Sequence, residues 1–150
     1  MDAVSYPNPK VIDFFDNNLV AVKVLINSQP LPKKFRVQWT PTLVLLDGEG
    51  EEHNRTVGFL PPEELLPSLM LGIGKSYFDH DDFSDAEMTF QHLLAEYPKS
   101  DSSAEAAYYL GVSRYKRTHN PEELKKTIQH LQRDFPQSEW VKRASVYQML

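Results

Sequence analysis

The chain contains no cysteine. Disulfides, thiolate nucleophiles and thiolate-ligated metals all need that side chain, so these residues cannot perform dithiol chemistry. Long apolar runs are missing too. The longest, around Leu43–Leu46 and Leu65–Ile73, fall short of the ~20 residues that cross a bilayer. Basic tracts are equally scarce: no run of Lys or Arg exceeds two residues and the net charge is −5, which argues against a phosphate-tracking surface and a nucleic-acid partner. The opening Met1-Asp2-Ala3-Val4 lacks the basic and apolar regions of a secretory signal. Localisation defaults to the cytoplasm, or to the periplasm should a signal lie upstream.

What the chain does have is apolar mass. Its 150 residues are 41% hydrophobic, with eight Phe, seven Tyr and two Trp, enough for one large core or two small ones. Charge is uneven: residues 61–100 carry two basic and eight acidic side chains, residues 101–150 eight basic and six acidic.

Local signals divide the chain at about residue 66. Asn8-Pro9 predicts an N-capped helix with apolar Val11, Ile12, Phe14 and Phe15, ending near Asn17-Asn18. Leu19–Ile26, apolar except for Lys23, predicts a strand covered on both faces. Pro30 and Pro32 bracket a short helix reaching Phe35, and Thr40-Pro41-Thr42 introduces the strand Leu43–Leu46. Asp47-Gly48-Glu49-Gly50 is a hairpin turn, and Glu51–Gly58 a more polar edge strand. From Leu60-Pro61-Pro62-Glu63-Glu64 onward the pattern is helical, with acidic residues in the first turn and Pro67 expected to kink or restart the helix. No Gly/Ser linker separates the halves, which predicts a rigid boundary.

Residues 67–150 repeat internally with an offset of 38. Tyr77 falls on Tyr115, Gln91-His92-Leu93 on Gln129-His130-Leu131, Pro98 on Pro136, Ser100 on Ser138, Ala106 on Ala144 and Tyr109 on Tyr147. The expected helices are 68–80 with 83–96, then 102–117 with 121–134, and a closing helix 138–149; Asn120-Pro121 caps the one at 121.

Sharper motifs fail on spacing. Gly72-Ile73-Gly74-Lys75-Ser76 has Leu69 where a phosphate loop needs Gly, and no strand before it. Asp79-His80-Asp81-Asp82 has Ser84 where a calcium loop needs Gly, and reads as an exposed turn. His92 with Glu96, and His130 with Asp134, have helical i, i+4 spacing that repeat descent explains without zinc. No serine sits in a nucleophile turn. No catalytic residue, cofactor or metal is assigned.

Two resemblances add function. Gly74, Tyr77, Ala86, Phe90 and Pro98 resemble the tetratricopeptide consensus. The likeness weakens in the second unit, where Leu124 and Ile128 replace Ala and Phe. Tyr97-Pro98 through Gly111 is similar to the joint of long-period variants in envelope-associated repeat proteins. The resemblance implies a protein-interaction scaffold over 67–150. Its first helices would line a concave face through Lys75, Phe78, Tyr109, Ser113, Lys116, Arg117 and Arg143, suited to an acidic peptide.

Residues 3–72 resemble the distal part of the thioredoxin fold, carried by Val20–Val24, Pro30, Phe35-Arg36-Val37, Thr40-Pro41-Thr42, Leu43–Asp47, Gly50 and Val57-Gly58. By that resemblance Pro41 is cis, Thr40 offers its backbone to an extended peptide, and Trp39 either lines the groove or packs in a core. The family's first strand and its Cys-x-x-Cys motif would lie upstream of Met1. The expected fold class is therefore α/β, an N-terminally truncated thioredoxin-like mixed sheet over 1–66, followed by all-α tetratricopeptide-like repeats, about two and a half of them, over 67–150. The expected function is a non-catalytic protein- or peptide-binding module. The alternative is a thiol-disulfide oxidoreductase whose redox motif lies upstream. Homodimerisation through exposed strand edges or the C-terminal helix is a further expectation.

Overall fold

A computed structural model describes residues 1–150. The elements are α1 (Pro9–Asn18), α2 (Leu31–Lys34), β1 (Thr42–Leu46), β2 (Glu52–Val57), α3 (Pro62–Asp79), α4 (Phe83–Glu96), α5 (Ser103–Thr118), α6 (Glu122–Asp134) and α7 (Glu139–Ala144), the last running into a 3₁₀ turn over Ser145–Met149. The chain separates into two compact units, Met1–Leu66 and Pro67–Leu150. No helix is long and apolar enough to cross a membrane.

In the first unit, α1 begins where its cap predicts: the Asn8 side chain accepts from the Lys10 N–H at 3.0 Å, with Pro9 at the first helical position. β1 and β2 pair antiparallel, Thr42 opposite Val57 and Leu45 opposite Asn54, with a register irregularity at Leu46. The turn between them is built on Asp47, whose carboxylate accepts from the N–H groups of Glu49 and Glu51, each at 2.9 Å. The small sheet and its helices fit a reduced thioredoxin-like α/β unit, but the sheet is purely antiparallel, where a mixed one was expected.

The main departure is Leu19–Ile26. This run was expected as a doubly covered strand; instead it joins no sheet, and Val20 is 94% exposed. β-branched side chains favour extended backbone, but a strand exists only where a neighbour takes its N–H and C=O groups, and β1 pairs with β2 alone.

His53 Nε2 lies 2.9 Å from the Asp47 carboxylate, and both side chains are nearly buried. That bond, with the turn N–H groups of Glu51 and Glu49, holds the carboxyl down to about 2 from the usual 3.8. A carboxyl that titrates lower in the fold than in the unfolded chain stabilises the fold when ionised. The contribution is complete above about pH 4 and fades as the pH falls toward 2. Asp47→Asn is therefore expected to lower the urea midpoint at neutral pH and to flatten its decline in acid. Urea titrations across that range check this.

In the second unit, helices α4 to α6 follow the expected boundaries within two residues. Asn120 caps α6 by accepting from the Glu122 N–H at 3.1 Å, and Ser138 caps α7 by accepting from Trp140 at 3.2 Å. The joint before α5 is tied by Ser103, whose hydroxyl donates to the Tyr97 carbonyl at 2.5 Å and lies 2.8 Å from Ser100 Oγ. One correction concerns α3. A kink or a restart at Pro67 was expected; no restart occurs, because a single helix runs through Pro67, and the proline is fully buried. Burial of the apolar side chains in this part of α3 offsets the backbone donor that proline lacks. Ala107, Ile128, Leu131 and Ala144 form one core cluster, covered by Tyr108, Phe135, Trp140 and Tyr147.

Candidate functional site

Both units carry residues singled out by sequence. In the first, the Thr40–Pro41 bond is cis, as the resemblance implied. Trp39 is 69% exposed, which decides between groove and core packing: it is not a core residue. The Thr42 hydroxyl donates to the Trp39 carbonyl at 2.6 Å, and the Pro41 carbonyl accepts from the Gly58 N–H at 2.8 Å. Between these anchored neighbours, Thr40 is exposed and its backbone makes no hydrogen bond. Beside it lies an open groove of about 580 Å³, lined by Trp39, Phe35, Lys34, Arg36, Thr42 and Arg55 among others. The sequence reading named Trp39, Thr40 and Pro41 but missed the groove's basic rim. Its signal was the run Lys33-Lys34-Phe35-Arg36 just before Thr-Pro-Thr.

In the second unit, four of the seven named residues converge. Tyr109 is the hub. Its ring lies 5.2 Å from Phe78 and 5.9 Å from Trp140 in centroid distance, and the Lys75 ammonium sits 5.8 Å from its centroid. Arg143 stacks over Trp140 at 4.6 Å. Burial pushes the Tyr109 phenol up, and the Glu105 and Asp79 carboxylates add to it, so the ring stays neutral. Trp140 belongs to this cluster and was not named from sequence; nothing in its local pattern separates it from a core aromatic.

Ser113 is corrected. It was expected on the concave face but is fully buried, its hydroxyl donating back to the Tyr109 carbonyl at 2.8 Å, one turn earlier in α5. Lys116 and Arg117 are exposed at the far end of α5, away from the aromatic cluster.

The charges expected to attract an acidic peptide here are mostly neutralised in place. Lys75 pairs with Glu105 at 3.0 Å and Arg143 with Glu139 at 3.4 Å. Arg114 and Arg117 both bind Glu87, each at 2.9 Å. Burial raises the Glu87 carboxyl, but the hydrogen bonds and charges of the two arginines outweigh it and hold the group below its ordinary value. Of the cations named, Lys116 alone has no acidic partner. The cluster is therefore half-buried and balanced in charge.

Against known proteins, residues 8–71 match the family model described as a thioredoxin-like domain, and residues 68–100 match that of a tetratricopeptide repeat. No curated protein matches the chain.

Proposed function

From a chain that joins a thioredoxin-like domain to a tetratricopeptide repeat, we propose a non-catalytic module that binds extended segments of partner proteins. Both parts support protein binding in general. The finer reading rests on one observation: an exposed indole, Trp39, lines the groove and is followed directly by an exposed, unpaired backbone at Thr40. An unpaired peptide unit offers a donor and an acceptor to an incoming strand, which supplies affinity through main-chain bonds. The indole adds contact area at small entropic cost. The chain has no cysteine, so this ledge can hold a peptide but has no thiolate to exchange with it. The half-buried aromatic cluster of Phe78, Tyr109 and Trp140 offers a less exposed contact area in the repeat unit.

Trp39→Ala is expected to weaken binding of extended peptides by about thirtyfold, the size of a central aromatic anchor worth ~2 kcal/mol. The unfolding midpoint should stay within about 0.5 kcal/mol of the parent, because the side chain is exposed. Calorimetric titration of a peptide pool against both proteins tests it. Equal affinities would remove Trp39 from the site.

A further inference from the structure

We propose that the groove beside Trp39 selects peptides carrying an acidic side chain, with Lys34 and Arg36 as the cations that hold it. This rests on the peptide-binding reading above and names its substrate class.

Arg55, in the groove lining, is occupied: its guanidinium grips Glu52 at 2.6 and 2.7 Å and donates to the Phe35 carbonyl at 2.8 Å. That pair cancels its own charge and ties the loop to β2. Lys34 and Arg36 remain. Neither makes an ion pair, and both are exposed along the groove. Lys34 sits over the Phe35 ring at 5.2 Å, which sets its ammonium above an aromatic floor. The groove thus carries two uncommitted positive charges in a chain whose net charge is −5. The cations named in the repeat unit, by contrast, are largely spent on internal carboxylates.

Arg36 carries a second signal. Its φ is +51°, the left-handed region that a side chain with a Cβ occupies at a cost and that glycine occupies freely. Arginine there is strained backbone retained beside a groove, where its guanidinium can form a paired, planar contact with a carboxylate. The occupant that complements unpaired backbone at Thr40, an exposed indole and two free cations is an extended peptide with a carboxylate side chain.

Binding of fluorescein-labelled peptides to the full chain, read by anisotropy, tests this. The probes are a Val/Thr-rich extended peptide with a pair of Glu, the same peptide with Gln instead, and a single-stranded oligothymidine. The Glu peptide is expected to bind about tenfold tighter than the Gln peptide, with the preference shrinking as salt rises. Arg36→Gly relieves the strained backbone, so it should fold at least as well as the parent, yet it should weaken the Glu peptide roughly fivefold to tenfold and leave the Gln peptide unchanged. Lys34→Gln should act in the same direction, and Lys116→Gln, in the other unit, should not. Equal binding of Glu and Gln peptides would leave the peptide site standing and overturn acid selection. If neither peptide binds, the underlying reading falls and the selection with it. Preference for the oligothymidine over the Glu peptide would make the groove a nucleic-acid surface and overturn the proposal.

Discussion

Phe90→Ala is expected to cost about 3–5 kcal/mol and to shift the urea midpoint of the repeat unit sharply downward. Phe90 in α4 is fully buried. Its ring stacks on Tyr109 at a centroid distance of 5.8 Å and fills the space that Gly74 leaves open on α3. Truncation removes the buried ring and leaves a cavity walled by side chains that close in only partly, so transfer and cavity costs add. A unit of this size has a total stability of roughly 5–15 kcal/mol, and the loss is a large share of it. The consequence reaches the surface as well, since Tyr109 would lose the neighbour that sets its ring plane, and Phe78 and Trp140 pack on Tyr109. Met88, on the same helix but 60% exposed, supplies the control: Met88→Ala should shift stability by no more than about 0.5 kcal/mol. Urea unfolding followed by far-ultraviolet circular dichroism measures both.

Gly111→Ala should destabilise by about 1–3 kcal/mol, opposite in sign to the usual gain of ~1 kcal/mol when a helical glycine becomes alanine. A Cβ on Gly111 would stand 1.6 Å from Thr127 Oγ1 and 2.7 Å from Thr127 Cβ. The hydroxyl could rotate away only by giving up its bond to the Glu123 carbonyl, made at 2.6 Å, and the Thr127 Cβ cannot rotate away at all. α5 and α6 would have to move apart. Gly74 faces Phe90 in the same way, with a Cβ placed 2.4 Å from the ring, and each glycine precedes the residue it accommodates by the same number of positions. In both helix pairs, a glycine on the first helix is what lets the second approach. Thr127→Ala should partly rescue Gly111→Ala, with a coupling of about 1 kcal/mol. Gly48→Ala, in the hairpin turn with nothing within 4 Å of a new Cβ, should be close to neutral. Denaturation midpoints of the single and double variants decide it.

Signals confined to a few neighbouring residues were legible in the sequence. The caps at Asn8 and Asn120, the Asp47 turn and the Thr-Pro-Thr entry into β1 all depend on local geometry, and the repeat places α4 to α6 because each unit must bury the same helical face. What stayed hidden depends on distant partners. Leu19–Ile26 has the composition of a strand, but pairing is a property of two segments. Proline disfavours a helix interior, yet here the helix continues through a fully buried Pro67. The repeat unit's basic face dissolves once Glu87 and Glu105 arrive from positions 27 to 30 residues away in sequence to claim Arg114, Arg117 and Lys75. Ser113 shares the buried face of α5 with Ala106 and Leu110, and its hydroxyl is satisfied there by the Tyr109 carbonyl, so a small polar residue in the sequence conceals an inward position. The groove rim at Lys34 and Arg36 has no local signature, because its value lies in the absence of an ion-pair partner for either cation.

The most direct test is a nitrogen-15 amide spectrum of the full chain titrated with extended Val/Thr peptides. The account predicts that the Thr40 amide and the Trp39 indole signals move first and saturate together, while amides around Lys116 and His119 stay still. Saturable binding that leaves Trp39 and Thr40 unmoved would contradict it.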